Sequence, residues 1–406
     1  MEPSVQNNPE FLEELYRTNK SEFLKVFDEF AASSPDHPLV YFWNVRLARD
    51  RRPSVWFSKE DLNHVLVTVL IFGSLATYPS WFNLSELQTG NFYLRNIGFV
   101  VFPSLLIYFF RHFQTEMKIR WVIMGILAVF ALYINLLPGN GIEPTDTLIL
   151  AGIHLPVVLW GLLGYVYHRK NYFEYLRFNG DLLVSAGILF LSWMLMSGVT
   201  IGLFELIGIK IGEFYPRYIM VYGFSAIPVM ALITVIRNSD FVSQVSPWIA
   251  RIFSPLALVM LSVFLIFFLI SGNDPFTNRE FLILFNGILV AVLALILFSL
   301  SSTEHRWLHV VLLALSVVTI LVNLTALSAI IYRLADDGVT PNRIAVLGAN
   351  ILFLIHLGIV GNKLRLLLGG KAVRENVLTS IGNYLPVYLL WAGMVTLFLP
   401  LIFGFK

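Results

Sequence analysis

The sequence predicts an all-α, polytopic helical membrane protein with about eleven transmembrane helices and a short helical N-terminal tail in the cytosol. Three observations predict it. Apolar residues make up 57% of the 406 positions and charged residues only 13%, against about 25% charged in soluble domains. Apolar runs of about 20 residues, the length a helix needs to cross the hydrocarbon core, recur from residue 63 onward. A β-barrel would instead alternate apolar and polar positions over segments of about ten residues.

The chain divides into residues 1–58, an amphipathic acidic tail, and residues 59–406, the transmembrane domain. Residues 1–40 hold eight acidic and three basic side chains. Within 9–31, PEFLEELYRTNKSEFLKVFDEFA, the residues Phe11, Leu12, Leu15, Tyr16, Phe23, Val26, Phe27 and Phe30 recur at roughly helical spacing. Such a helix either folds back on the protein's own cytosolic loops or docks a cytosolic protein partner through residues 9–31. RLARDRR follows, a basic stretch beside the membrane that fixes topology and meets anionic headgroups of membrane lipids. The polar start of the chain carries no short apolar core of a signal peptide.

The spans are expected near 63–82, 96–110, 121–138, 147–167, 182–207, 218–236, 252–272, 280–301, 308–332, 344–362 and 380–403. The second is short, and RHFQTEMKIR marks its end. The fifth is long and carries Gly198 and Gly202, so it is expected to tilt or break. Pro103, Pro156, Pro228 and Pro386 fall inside the second, fourth, sixth and eleventh spans, where a proline kinks a helix. Basic residues orient the chain. With the N-terminus inside, the inner side collects Arg46, Arg49, Arg51, Arg52, Lys59, Arg111, Lys118, Arg120, Arg169, Lys170, Arg177, Arg237, Arg251, Arg306, Lys363, Arg365, Lys371 and Arg374. The outer side holds Arg95, Lys210, Arg217, Arg279, Arg333, Arg343 and Lys406. Trp56, Trp121, Trp248 and Trp307 fall at the inner interface, as an aromatic belt would.

Motifs of soluble catalysis are missing. No GxxxxGK[ST], HExxH or GxSxG is present, and the loops between spans are too short for a catalytic domain. The chain has no cysteine, which excludes disulfides, cysteine-bound zinc and thiol catalysis. The net charge of +2 gives no sign of a nucleic-acid partner. The reading therefore expects no catalytic residue, no metal site and no cofactor, and leans away from an enzyme.

Ionisable residues inside the spans are His64, His154, Glu205, His309 and His356. His64, His309 and Glu205 reach an interface. His154 in AGIHLPVV and His356 in FLIHLGI lie deeper, where each is either satisfied by one interhelical hydrogen bond or part of a polar cavity. A second pattern is a repeat. Asn278-Arg279 is followed by Asn286, and Asn342-Arg343 is followed at the same interval by Asn350. Seven residues are about two helical turns, so each Arg shares a face with its Asn. Asp and Thr precede both copies: Asp274 and Thr277, then Asp337 and Thr340. With Arg95 and Arg217, four of the five inward-running helices begin with an arginine. That opposes the helix dipole, so each arginine needs an offset. Rim salt bridges supply one. An outer anionic ligand supplies another, which makes Arg279, Arg343, Asn286, Asn350, His154 and His356 the candidate ligand-binding residues.

The segment ADDGVTPNRIAVLGANILFLIHL resembles the Gly-φ-Thr-x-x-Arg segment of a bacterial inner-membrane family, domain of unknown function 4153. The final span is similar to that family's closing segment through Tyr384-Leu385-Pro386-Val387-Tyr388, Leu399-Pro400 and Phe403-Gly404-Phe405. The resemblance covers about residues 330–406. Asp337-Gly338-Val339-Thr340 departs from the Tyr-Gly-Leu-Thr common in the family. The resemblance implies a multi-pass protein of the bacterial inner membrane, and it carries over no activity or catalytic residue.

Two functions follow as expectations. The first is a non-enzymatic membrane regulator or scaffold, which calls for an exposed apolar face on the 9–31 helix. The second is a secondary transporter or a protein that handles lipids or anions, which calls for a polar cavity lined by His154, His356, Asn286 or Asn350.

Overall fold

The computed structural model describes residues 12–13, 15–16, 20–35, 37–50, 57–139, 143–167, 172–206, 210–237, 254–263, 265–266, 279–302 and 306–406. The chain forms two compact units, Met1–Ser58 and Lys59–Lys406.

The N-terminal unit is a pair of helices, α1 (Lys20–Ser33) and α2 (Pro38–Asp50). His37 opens α2, its Nδ1 accepting from the Leu39 amide at 3.2 Å. Phe23, Phe27 and Phe30 recur about every turn of α1 and are buried together with Leu12, Val40, Trp43 and Leu47. Trp43 is the centre: its ring lies 4.5 Å from Phe23. Arg46 pairs with Glu13 at 2.8 Å and lies over the rings of Tyr16 and Trp43 at 5.0 and 4.9 Å. The apolar face of α1 is thus covered within its own unit.

The second unit is a multi-pass helical bundle. Its helices are α3 (Lys59–Trp81), α4 (Glu86–His112), α5 (Met117–Leu136), α6 (Asp146–Tyr167), α7 (Tyr172–Leu206), α8 (Tyr215–Arg237), α9 (Ser254–Val263), α10 (Arg279–Ser302), α11 (Arg306–Asp336), α12 (Pro341–Leu368), α13 (Arg374–Asn383) and α14 (Leu385–Ile402). Among the described residues nine crossings are long and apolar enough to span a bilayer: α3 to α8, α11, α12, and α13 with α14 together. They coincide with nine of the eleven expected spans. The other two, 252–272 and 280–301, fall on α9 and α10, stretches described only in part.

Three boundaries differ from the sequence reading, each for a local reason. Helix α4 begins at Glu86, ten residues before the expected start. Ser85 closes a capping box there: its hydroxyl accepts from the Gln88 amide, and the Gln88 side chain accepts from the Ser85 amide. The polar run ELQTGNFYLR is helical because its end is capped, not because it is apolar. Helix α7 runs unbroken for 35 residues. A glycine keeps its backbone N–H, so it weakens a helix without removing a rung of the ladder. The last crossing is divided at Tyr384, with Pro386 in the first turn of α14, where a missing N–H leaves no bond unmade. By contrast Pro103, Pro156 and Pro228 lie inside continuous helices.

Two of the rim arginines, Arg95 and Arg343, have oxygen partners at helix ends and turns. Arg95 donates to the carbonyls of Ile134 and Leu137, at the C-terminus of α5. Adjacent helices are antiparallel, so an arginine that opposes its own helix dipole complements its neighbour's. Arg343 bonds the Asp337 carboxylate at 2.7 Å and the Gly338 carbonyl at 2.6 Å. Thr340 caps α12 by accepting from the Arg343 amide, and Gly338 turns the chain at φ +82°.

An ionic knot joins α3, α4 and α8. Asp61 is fully buried in the first turn of α3. Its carboxylate takes Arg111 at 3.3 Å and Tyr108 at 3.3 Å from α4, and Arg237 from the end of α8. The two guanidiniums are partly exposed, so water shares their charge while the carboxylate depends on them. Removing one partner strands a buried charge, which costs about 3–5 kcal/mol when the pair is fully buried and less where water screens it. Arg111→Gln and Arg237→Gln are therefore each expected to destabilise the purified protein by about 1–3 kcal/mol. Thermal unfolding in detergent measures both, and two variants as stable as the parent would refute this role for the knot.

Candidate functional site

A cavity of about 530 Å³ lies inside the transmembrane unit, walled by α6, α7, α10, α12, α13 and α14. Its volume falls in the range of about 300–1,000 Å³ that small-molecule sites occupy. It brings together the two deep histidines, His154 from α6 and His356 from α12. His154 lies eight residues into α6, about 12 Å along its axis, and His356 lies fifteen residues into α12, about 22 Å along.

The wall is mainly aliphatic and aromatic, and no Asp, Glu, Lys or Arg lines it among the described residues. Leu183 on α7 and Val290 on α10 are its most exposed lining residues, 73% and 54%. The cavity therefore reaches exposed apolar side chains on α7 and α10.

Six polar rings and amides face this space. His356 is buried, and its Nδ1 pairs with the Tyr388 hydroxyl at 2.8 Å. Its ring stacks on Tyr384 at 4.4 Å, and Tyr384 meets Tyr388 edge-on at 5.1 Å. The break in the last crossing sets this geometry, because it places Tyr384 at the joint and Tyr388 one turn into α14. Trp160 donates to the Asn179 side-chain oxygen at 2.8 Å, tying α6 to α7, and Asn179 donates to the Tyr175 carbonyl at 2.6 Å.

His154 pairs through Nδ1 with the Leu150 carbonyl, 2.9 Å away. A carbonyl only accepts, so Nδ1 carries the proton and Nε2 of the neutral ring is an acceptor. Two further nitrogens of lining residues, Nε2 of His356 and Nε1 of Trp391, are buried without a hydrogen-bond partner. Each unmade bond of that kind costs about 1–3 kcal/mol. Buried polar atoms left unpaired are uncommon in folded proteins and call for an explanation.

Two glycines make room for rings of the wall. A Cβ on Gly348 would lie 1.9 Å from the Trp391 ring, and a Cβ on Gly180 would lie 1.9 Å from the Phe298 ring. Both rings line the cavity, so a ring of α14 rests on the backbone of α12, and a ring of α10 on that of α7.

The other sequence candidates lie elsewhere. Asn350 is buried and bonds the Val346 carbonyl at 2.9 Å, while its own carbonyl accepts from Asn323 of α11 at 3.0 Å. Arg343 is held in the turn before α12. The side chains of Arg279, Asn286 and Glu205 are outside the described residues. Among the described residues no group of three or more His, Asp or Glu converges to hold a metal ion. Sequence reading missed Tyr384, Tyr388, Trp160, Asn179 and Trp391 as site residues. The signal for the first two was present: Tyr384 and Tyr388 are four residues apart, the spacing that places two rings on one helical face.

Gly348→Ala is expected to push Trp391 out of position and destabilise the protein by about 1–3 kcal/mol, the usual cost of overpacking. Gly358 is in the same helix, and a Cβ there meets nothing within 4 Å. Gly358→Ala should be neutral or stabilising by up to about 1 kcal/mol. Thermal unfolding read by tryptophan emission separates the two, and equal effects would contradict this packing. No family model matches the chain, and neither a curated protein nor a solved structure matches it.

Proposed function

We propose that the transmembrane unit captures a lipophilic molecule from the bilayer and holds it between its helices, so that the protein handles lipids rather than catalysing a reaction. One observation carries this reading: a cavity well inside the bundle, with no charged side chain among its described lining residues, that reaches exposed apolar side chains on α7 and α10. A cavity opening to water would admit soluble ions, whereas one that opens sideways samples the membrane. Its described wall has no charged group to offset the desolvation of an ion, so a small anion or metal cation is a poor fit.

The alternative, a scaffold that docks a cytosolic partner through residues 9–31, has less support. It calls for an exposed apolar helix face, and Phe23, Phe27 and Phe30 are spent on the unit's own core around Trp43. The excess of basic residues on one side favours a cytosolic N-terminus. Placement in a bacterial inner membrane, and kinship with domain of unknown function 4153, rest on the residues around Tyr384-Leu385-Pro386-Val387-Tyr388 and Leu399-Pro400.

The test is native mass spectrometry of the full chain released from gentle detergent. A bound lipid of discrete mass is expected on the parent protein. Ala294→Phe, which fills the cavity from α10, should lose it while eluting as a single sharp species. Retention of the same mass by the filled variant, or a parent protein that carries none, would overturn the proposal.

A further inference from the structure

We infer that the cavity selects a lipid with an uncharged hydroxyl head, such as a long-chain or isoprenoid alcohol, over one with a carboxylate or phosphate head. This rests on the lipid-capture reading and narrows it to a chemical class. The tail has an apolar wall that reaches the exposed side chains of Leu183 and Val290. The head has hydrogen-bonding atoms on the same wall and no charged side chain among its described lining residues.

Those atoms have defined roles. Trp391 Nε1 can only donate, and it is buried without a partner. His154 Nε2 can only accept, because Nδ1 is the atom bound to the Leu150 carbonyl. His356 Nε2 is unpartnered in either tautomer, donating when Tyr388 donates to Nδ1 and accepting when Nδ1 donates to Tyr388. A hydroxyl both donates and accepts, so it satisfies any of the three. A ketone oxygen can answer only the donors. A carboxylate or phosphate would give up its hydration for a wall without a cation, the costliest exchange available to it. Neither His356 nor Trp391 needs its free nitrogen for packing: an aliphatic or phenyl side chain would fill the same space without leaving a polar atom unpaired. The mismatch has a reason if a ligand oxygen completes the set.

The experiment uses the full chain in nanodiscs of zwitterionic phospholipid and three diazirine probes. All carry the same sixteen-carbon chain and differ only at the head: hydroxyl, carboxylate or methyl. After illumination and proteolysis, labelling is read on peptides of α6, α12 and α14. The hydroxyl probe is expected to label them about three-fold or more above the methyl probe, since each hydrogen bond gives roughly a two- to ten-fold preference. The carboxylate probe is expected to fall below both. Trp391→Phe and His154→Phe should each lower hydroxyl labelling toward the methyl level and leave methyl labelling unchanged. Equal labelling by all three heads, a preference for the carboxylate, or a hydroxyl preference untouched by both variants would overturn this inference while leaving lipid capture standing. If no probe labels these peptides, the capture reading fails as well. The comparison of heads on the parent protein needs no variant to fold.

Discussion

A polar group placed in hydrocarbon must find a partner inside the protein, and most of this structure follows from that rule. It makes every described element of the transmembrane unit helical, because only the helix satisfies its own backbone. It draws Arg95 onto the carbonyls that end α5 and closes Arg343 onto Asp337 and Gly338. It gathers Tyr108, Arg111 and Arg237 around Asp61. His154 turns to the carbonyl one helical turn back, and the Asn323 side-chain amide donates to the Asn350 carbonyl.

Against that background the exceptions carry information. Among the described residues His64 Nε2, Trp193 Nε1, Ser197 Oγ and Asn323 Oδ1 are also buried without a partner, but Nε2 of His356 and Nε1 of Trp391 lie together on the wall of one cavity. The surrounding structure has the means to avoid them, as it does at Trp160, whose indole finds Asn179. The rings of its wall are also seated by specific means. Gly348 and Gly180 allow Trp391 and Phe298 to rest on neighbouring backbones. The division of the last crossing at Tyr384 adds a stack of aromatic rings against His356. Stability and site are thus built from the same contacts: the helix pairs that fix the bundle also shape the wall.

Much of the fold was legible because hydropathy and length are local properties. Nine expected spans coincide with nine crossings, and His154 and His356 could be placed deep within theirs. What local reading mistook, it mistook for definable reasons. The polar residues at the start of α4 looked like a loop because composition outweighed the capping signal of Ser85 and Gln88. The glycines of α7 looked like a break because their propensity was read without the unbroken ladder of hydrogen bonds. Arg111 and Arg237 were counted as loop charges that set topology, and their common partner Asp61 was read as lying outside the first span.

By itself the sequence determined that this is a helical membrane protein, roughly where its crossings lie, and that His154 and His356 are set deep within them. A side chain's hydropathy and its depth along a helix are properties of the chain alone. The tertiary structure decided that these two histidines share one cavity, that none of its described lining residues is charged, that it reaches exposed apolar side chains on α7 and α10, and that Arg343 and Asn350 are engaged elsewhere. Those facts depend on which helix faces which, and facing is set by close packing between distant segments: Gly348 under Trp391, Gly180 under Phe298, Asp61 between two arginines. The period of a single helix does not encode its neighbour.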